Sequence, residues 1–188
     1  MRVSGIKKDQ YGDAIPYGGE VRLGTSRLRP DGDSFHRKIA FTNDSLILTQ
    51  TNDGKVDWWD PKTGKNIRSV ELGFRSRGFA AAPDRSSFAV VFYKPERESH
   101  VSEYGVEIRS LDTGAPIKTI PLAEPPQKQP RDTSVFYTPD GKILLLVEES
   151  CKVRVIDIAL GKERLTNKFA QHRHRLEAAA MSPDGKQV

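Results

Sequence analysis

The 188-residue sequence has little of several features that would place it in a specialised class of protein. Its single cysteine, Cys151, has no disulfide partner within the chain and no neighbour for a metal site, so nothing in the sequence requires an oxidising compartment. No apolar run approaches the roughly 18 residues of a membrane helix. Residues 1–19 also lack the apolar core of a signal peptide. The sequence therefore predicts a cytoplasmic protein without a membrane partner.

The sequence also lacks the short motifs that carry catalysis or hold a cofactor. There is no glycine-rich phosphate loop, no His-Glu-x-x-His pair, no Cys-x-x-Cys pair and no Gly-x-Ser-x-Gly elbow. His172 and His174 together supply two ligands, whereas a structural zinc site needs about four. We therefore expect no catalytic residues, no cofactor and no metal, and we do not expect an enzyme.

The charge balance argues against nucleic acid as the partner. The 30 Lys and Arg residues are offset by 25 Asp and Glu residues spread through the chain, which leaves a formal net charge of +5. Proteins that bind nucleic acid normally concentrate their basic residues in one stripe. Weak binding that disappears at moderate salt would therefore reflect bulk electrostatics only.

What the sequence does contain is a repeat with a period in the forties. The segment VDWWDPKTGK at 56–65 aligns without gaps with VEIRSLDTGA at 106–115 and VRVIDIALGK at 153–162. A turn-like tetrapeptide precedes each copy and returns near the end: FTND at 41–44, AAPD at 81–84, YTPD at 137–140 and MSPD at 181–184. Such a period is typical of a β-propeller or a helical array, and the alternating apolar residues exclude the array.

Each repeat is predicted to form four short antiparallel strands. In the first unit these strands are expected at 38–41, 46–50, 55–59 and 67–72. A Pro-Asp turn joins the first two strands of a unit, and a Thr-Gly turn joins the last two. Because side chains alternate along a strand, Val56 and Trp58 share one face of the sheet and Trp59 lies on the other. We therefore expect Trp58 to pack between two blades and Trp59 to be exposed.

These motifs resemble the WD-repeat β-propeller family of bacterial type, whose units carry a Ser-Pro-Asp-Gly turn, a Val-x-Leu-Trp-Asp strand and a Thr-Gly-Lys turn. The one literal Trp-Asp pair is Trp59-Asp60, and the other copies carry Arg109-Ser110 and Ile156-Asp157. Thr49, Asp53 and Trp59 fit three positions of the family's hydrogen-bond network, but Gly32 stands where the family has His. The resemblance implies an all-β fold of propeller blades and a role as a non-catalytic protein-interaction scaffold.

The repeats divide the chain into a leader and four units. In the leader, 1–35, the segment 22–29 resembles the strand that closes the ring of such propellers. The units are expected at 36–73, 74–123, 132–169 and, in part, 170–188. Propellers close with roughly four to eight blades. We therefore expect an incomplete ring, a chain that is a fragment of a longer protein, and self-association through unpaired blade edges.

The linkers between units carry the candidate binding residues. In a four-stranded blade these linkers emerge on the same face as the turns between the second and third strands, so basic linkers would ring that face with positive charge. The residues are Arg75, Arg77, Lys128, Arg131, Arg173 and Arg175. We expect this basic face to bind an acidic protein segment. The simpler explanation is that linkers are exposed and therefore polar.

Two further features leave the function open. The second unit carries about ten extra residues within 93–105, which favour a solvated hairpin extension over a recognition loop. The Pro-rich segment 123–132 is explained as a spacer between blades. The alternative function, from another class, is a regulatory or substrate-binding propeller domain of a larger enzyme.

Overall fold

The computed structural model describes residues 7–9, 12, 14–15, 17, 36–42, 45–51, 53–94, 103–123, 133–168 and 179–187. Strands are the only regular elements assigned within these residues. They are β1 (His36–Phe41), β2 (Ile47–Thr51), β3 (Lys55–Trp59), β4 (Asn66–Glu71), β5 (Ser76–Ala81), β6 (Ser87–Lys94), β7 (Glu103–Ser110), β8 (Pro116–Pro121), β9 (Thr133–Tyr137), β10 (Ile143–Glu148), β11 (Lys152–Asp157) and β12 (Lys162–Lys168).

The predicted fold class is confirmed by the way these strands pair. They form three four-stranded antiparallel sheets, each a meander of consecutive strands, which we call blade 1 (β1–β4), blade 2 (β5–β8) and blade 3 (β9–β12). The first strands of successive blades contact each other, as strands do near the axis of a propeller. Within the described residues the three blades do not close into a ring.

The turn between the third and fourth strands explains two positions of the repeat. In blade 1, Asp60 accepts hydrogen bonds from the Thr63 hydroxyl at 2.7 Å and the Lys62 amide at 2.8 Å. The bond from Thr63 is the main reason that the pKa of Asp60 is lowered. Gly64 follows with a φ of 65°, which glycine adopts without a steric penalty. The equivalent residues are Ser110 with Gly114 and Asp157 with Gly161.

The Pro-Asp turn between the first and second strands also forms as predicted. In blade 3, the Asp140 carboxylate accepts the Lys142 amide at 3.1 Å, and Gly141 between them has a φ of 71°. Arg85 takes the corresponding position in blade 2 with a φ of 54°. The repeat thus places a residue of positive φ after the turn aspartate, whether or not glycine is present.

The leader and the fourth unit are described only in part. Lys8 and Ala14 form an isolated antiparallel bridge, and the predicted closing strand 22–29 lies outside the described residues. The described residues 179–187 contain the fourth Pro-Asp turn and no assigned strand. A Cβ atom on Gly185 would lie 2.5 Å from Cδ of Pro139, so the fourth turn packs directly on the third. The partial fourth blade itself stays a prediction.

Two buried clusters join the blades. The cluster between blades 1 and 2 includes Leu48, Val56, Trp58, Phe79, Phe88, Val90 and Leu111. The cluster between blades 2 and 3 includes Val91, Val106, Ile108, Tyr137, Leu144, Leu146 and Ile156. Strand β6 contributes alternate residues to the two clusters, so blade 2 is packed on both faces. Apolar burial of this kind contributes roughly 25 cal/mol per Å² and is the main force holding one blade to the next.

Trp58 packs between blades as predicted, but the expected exposure of Trp59 is wrong. Trp58 is 1% exposed and meets Phe88 edge to face, with ring centroids 6.3 Å apart. Trp59 is only 4% exposed, and its indole N–H donates to the Thr49 hydroxyl at 2.8 Å. This bond runs to the neighbouring strand of the same blade. Alternation therefore sets the face on which Trp59 lies and does not set its exposure.

Candidate functional site

The structure describes one side chain of the predicted basic face. Arg75 is exposed in the linker between blades 1 and 2. Arg77 lies in β5, but its side chain is outside the described part of the structure. The other four residues lie outside the described residues altogether: Lys128, Arg131, Arg173 and Arg175. The ring of positive charge therefore stays a prediction.

Backbone contacts in blade 1 place Arg75 on the expected face. The Leu72 amide at the start of the linker donates to the Gly54 carbonyl, in the turn between β2 and β3, at 2.8 Å. A Cβ atom on Gly54 would lie 1.9 Å from the Phe74 carbonyl oxygen, so the turn and the linker touch. Gly54 also has a φ of 94°, which other residues rarely adopt. The linker and this turn thus emerge together.

The same face carries an extended hairpin in blade 2. Strands β6 and β7 each have eight residues, and the last pairs of their ladder join Tyr93 to Tyr104 and Lys94 to Glu103. The Lys94 ammonium lies 3.0 Å from the Glu103 carboxylate and 5.2 Å from the ring centre of Phe92. The predicted hairpin extension is therefore present as far as Lys94 and Glu103. Its tip, 95–102, lies outside the described residues.

The linker and the hairpin pack against each other through aromatic rings. Phe74 of the linker lies 5.4 Å from Phe92 of β6, measured between ring centroids. The guanidinium of Arg109 lies 5.9 Å from the Phe74 ring centre. Arg109 also donates to the Gly114 carbonyl at 2.9 Å and the Leu72 carbonyl at 3.5 Å. Arg109 of blade 2 is equivalent to Trp59 of blade 1 in the aligned repeat. It is a buried cation that holds the linker through its bond to the Leu72 carbonyl.

A buried ionic network holds the corresponding rim between blades 2 and 3. Arg154 is 1% exposed and bonds Glu148 at 2.6 Å, Glu163 at 3.0 Å and the Ala123 carbonyl at 2.8 Å. Tyr104 donates its hydroxyl to Glu148 at 3.1 Å. Burial first, and the Glu148 charge second, raise the pKa of Tyr104. Although burial opposes the charge on Arg154, its hydrogen bond to Glu148 raises the pKa of the guanidinium.

This network was not predicted from the sequence, which contains only weak evidence for it. Glu148, Arg154 and Glu163 come from three different strands of blade 3, so no local motif connects them. The one available signal was a charged residue, Arg154, between two valines of the third repeat copy. Alternation along the strand places its side chain on the same face as Ile156. In the structure Ile156 packs toward blade 2.

Two side-chain hydrogen bonds in blade 1 involve Thr49, Asp53 and Trp59. Thr49 accepts the Trp59 indole, and the Thr51 hydroxyl donates to the Asp53 carboxylate. Thr51 links the turn further, since its hydroxyl oxygen also accepts the Lys55 amide at 3.1 Å. Thr49 and Trp59 thus form one pair between β2 and β3, and Thr51 and Asp53 form another at the turn between these strands.

The described residues contain no group of three or more His, Cys, Asp and Glu side chains that could hold a metal ion. His172 and His174 lie outside those residues. Cys151 is a free, half-buried thiol in the turn between β10 and β11, where its φ is 61°. No helix long and apolar enough to cross a bilayer occurs in the part of the chain that the structure describes.

Comparisons with known proteins bear on the fold alone. No protein-family model and no curated protein matches the sequence. Among solved structures 785 chains match, so the architecture is a common one. One of them is the hydrazine synthase of Kuenenia stuttgartiensis, which superimposes with a TM-score of 0.60 at 20% sequence identity. The match covers 79% of this chain and 41% of that chain.

Proposed function

We propose that the chain is part of a non-catalytic protein-interaction scaffold built on propeller blades of the WD-repeat type. The observation that carries the proposal is the packed joint between Phe74 of the first linker and Phe92 of the extended hairpin. The joint fixes two basic side chains, Arg75 and Lys94, on the face from which the linkers emerge. The hydrogen bond from Trp59 to Thr49 supports the WD-repeat assignment.

The chemistry of this face favours an acidic protein segment as the partner. Arg75 is exposed, and exposed charges on a rigid frame attract a charge of opposite sign before contact is made. Lys94 is partly neutralised by Glu103, so Arg75 and the other linker cations carry most of the attraction. A nucleic acid fits less well, because linkers on separate blades provide no continuous groove for a phosphate backbone.

The test is a charge reversal with a matched control. Arg75, Arg77 and Arg131 are changed together to Glu. The control changes Lys62, Lys65 and Lys142 to Glu, and these three lysines are exposed on turns of the opposite face. Both variants alter the net charge by the same amount, and Arg75 and the three control lysines are exposed charges, which contribute little to stability. We expect the first variant to bind an acidic partner more slowly and with a smaller salt dependence. An unchanged partner list in pulldowns at two salt concentrations would contradict the proposal.

A second copy of the chain is a further proposed partner. Ile39 and Phe41 of β1 are 66% and 59% exposed. They pair with Thr49 and Ile47 and so lie on the face of blade 1 that points away from blade 2. An exposed apolar sheet face favours association. A monodisperse monomer in light scattering would contradict this proposal, and Ile39→Lys should restore a monomer if it is right.

The alternative role is a regulatory or substrate-binding propeller domain of a larger enzyme. The structural neighbour described above is named as an enzyme, and this chain corresponds to 41% of it. Sequencing the gene beyond codon 188 separates the two roles. Further repeats followed by a stop codon support the scaffold, and a catalytic motif supports the enzyme domain.

The proposed location of the scaffold is the cytoplasm, as expected in the sequence analysis. Fractionation of cells that express the tagged protein would check this location. Recovery from the membrane pellet or the medium would contradict it.

A further inference from the structure

The interface between blades 1 and 2 contains a cation for which the blades supply no acceptor. Arg68 of β4 is half-buried, and its guanidinium carbon lies 4.0 Å from the centre of the Trp58 ring. Its Nε atom is buried without a hydrogen-bond partner, and the side chain forms no ion pair within the described residues. Because buried polar groups are nearly always hydrogen-bonded, Arg68 is an exception that calls for an explanation.

The equivalent cation at the next interface has two acceptors. It is Lys118, since Lys118 and Arg68 each pair with the third residue of their aligned repeat. The Lys118 ammonium donates to the carbonyls of Ile158 and Ala159, at 2.7 and 2.8 Å, in the turn between β11 and β12. A cation at this position of the repeat is therefore able to bind the turn of the following blade.

At the interface between blades 1 and 2 the Trp58 ring takes this place. Its indole N–H donates at 2.9 Å to the Leu111 carbonyl, which is equivalent to the carbonyl of Ile158. A Cβ atom on Gly114 would lie 3.1 Å from the same ring, so the ring packs directly on the turn between β7 and β8. Arg68 rests on this ring and forms no bond to the turn. Its hydrogen-bond donors consequently remain available to another group.

The chemistry of the buried arginines in the other blades indicates a carboxylate as that group. Arg109 pairs with Glu107 at 2.5 Å, and Arg154 pairs with Glu148 at 2.6 Å. A guanidinium binds a carboxylate through two parallel N–H bonds, and stacking on an aromatic ring holds its plane in position for such a pair. A phosphate dianion fits less well, because one guanidinium would neutralise only part of its charge.

The neighbours of Arg68 indicate that the carboxylate belongs to a protein segment. Ile67 directly precedes it and is 58% exposed, so an apolar side chain stands beside the cation. Within the described residues β4 is the last strand of blade 1 and pairs with β3 only, which leaves its outer edge open. The ladder is irregular between Asn66 and Arg68, and such a bulge opposes regular addition of another strand. Contact through side chains is therefore favoured, with an acidic one on Arg68 and an apolar one on Ile67.

We propose that Arg68, held on the Trp58 ring, binds the side-chain carboxylate of an acidic segment in a partner protein. Ile67 contacts an apolar residue that neighbours the acidic one. The site lies next to the turns between the third and fourth strands, which are on the face opposite the linkers. It goes beyond the proposed basic face, and neither variant of the charge-reversal experiment changes Arg68. The two proposals can therefore fail separately.

The experiment is a titration of the 188-residue chain with the blocked dipeptide acetyl-Glu-Leu-amide, followed by protein-observed NMR. The reporters are the indole N–H of Trp58 and the Nε–H of Arg68. Acetyl-Gln-Leu-amide is the control that lacks the charge. We expect a saturable shift of both signals with the Glu dipeptide and none with the Gln dipeptide. The absence of a saturable shift at millimolar concentration, or an equal response to the Gln dipeptide, would overturn the proposal.

Two small anions, acetate and inorganic phosphate, are titrated in parallel to identify the source of the charge. We expect both to shift the two signals less than the Glu dipeptide does at the same concentration. An equal response to acetate would mean that the site takes any free carboxylate, and a stronger response to phosphate would identify a phosphate site. Either result would contradict the assignment to an acidic protein segment.

Three variants connect the binding to Arg68. Arg68→Gln removes the charge, so the affinity read from the Trp58 signal should fall about tenfold or more, which is the usual effect of losing a hydrogen bond to a charged group. Arg68→Lys keeps the charge without the planar fork and should retain part of the affinity. Lys118→Gln is the matched control and should leave the affinity unchanged, since that cation already binds two carbonyls. Unchanged affinity in folded Arg68→Gln would show that the dipeptide binds elsewhere and would refute the proposal.

Asp112 requires a separate check, because it is an exposed carboxylate in the turn that the Trp58 ring contacts. It forms no ion pair with Arg68 in the structure. Asp112→Asn should therefore leave the Arg68 Nε–H signal of the free protein unchanged. A shift as large as the one that the Glu dipeptide causes would show that Asp112 is the partner of Arg68, and the proposal would then be wrong.

Discussion

The two interfaces between blades use the same backbone acceptor and different side-chain donors. Between blades 1 and 2, the Trp58 indole donates to the Leu111 carbonyl at 2.9 Å. Between blades 2 and 3, the Lys118 ammonium donates to the Ile158 carbonyl at 2.7 Å. Leu111 and Ile158 are equivalent, because each directly follows the residue that caps the turn between the third and fourth strands. The repeat thus keeps the acceptor and varies the donor.

The rest of the two interfaces differs in the same way. The first is aromatic, with Phe79 and Phe88 rings 5.4 Å apart and the Arg68 guanidinium 4.0 Å from the Trp58 ring centre. The second combines aliphatic side chains and the buried rings of Tyr93, Tyr104 and Tyr137 with the ionic network around Arg154. A degenerate repeat can therefore preserve the geometry of a propeller while the chemistry between blades changes, since the backbone of the turns provides the common contact.

The largest expected effect comes from Trp58→Ala at the aromatic interface. The change removes a fully buried ring, the edge-to-face contact with Phe88 and the bond to Leu111. We expect the free energy of unfolding to fall by about 3–5 kcal/mol. Urea denaturation of the full chain measures it. A loss below about 1.5 kcal/mol, the level of a volume-conserving apolar swap, would show that the interface collapses around the cavity and does not depend on the ring.

The next effect is expected from Arg154→Met at the ionic interface. Removing the cation leaves the Glu148 carboxylate, which is 4% exposed, without its main partner. An uncompensated buried charge costs about 3 kcal/mol or more. The double variant Arg154→Met with Glu148→Leu removes both charges and should be more stable than the single variant. If the double variant is less stable than the wild type, the charged pair itself contributes a net favourable free energy. The second interface then depends on its ionic network as well as on apolar packing.

A smaller effect should distinguish two equivalent glycines, Gly114 and Gly161. Both have positive φ, of 73° and 66°, so alanine costs about 1–2 kcal/mol of backbone strain at either position. A Cβ atom on Gly114 would lie 3.1 Å from the Trp58 ring, which is held by its packing, whereas on Gly161 it would meet the flexible Lys118 side chain at 2.9 Å. We therefore expect Gly114→Ala to be the more destabilising in thermal melts. Equal losses would mean that Trp58 shifts as easily as Lys118 does.

The sequence predicted the parts of the fold that repeat. Strand β3 lies at Lys55–Trp59 as expected, and β4 begins at Asn66 instead of the expected residue 67. The turn aspartates and the glycines of positive φ also follow from local sequence, because each acts within one hairpin. The placement of Trp58 between blades could be predicted from alternation alone, since Val56 marks the buried face.

The parts that could not be predicted depend on contacts between distant residues. Trp59 is buried, and Thr49, ten residues earlier, accepts its indole N–H. Tyr104 donates its hydroxyl to Glu148 across 44 residues of sequence. Of the six residues of the predicted basic face, the structure describes the side chain of Arg75 alone. That face is therefore still a prediction.

The smallest effect is expected from Lys118→Met, which removes the donor at the second interface and keeps an unbranched apolar side chain. The ammonium donates to the carbonyls of Ile158 and Ala159 at 2.7 and 2.8 Å. Residue Ala159 is exposed, so water can replace the lost donor there and the free energy of unfolding should fall by only about 1 kcal/mol. Lys118→Arg is the control, because it keeps a cation within reach of both carbonyls. A loss as large as that of Trp58→Ala would mean that the shared backbone acceptor, rather than the packing around it, holds the blades together.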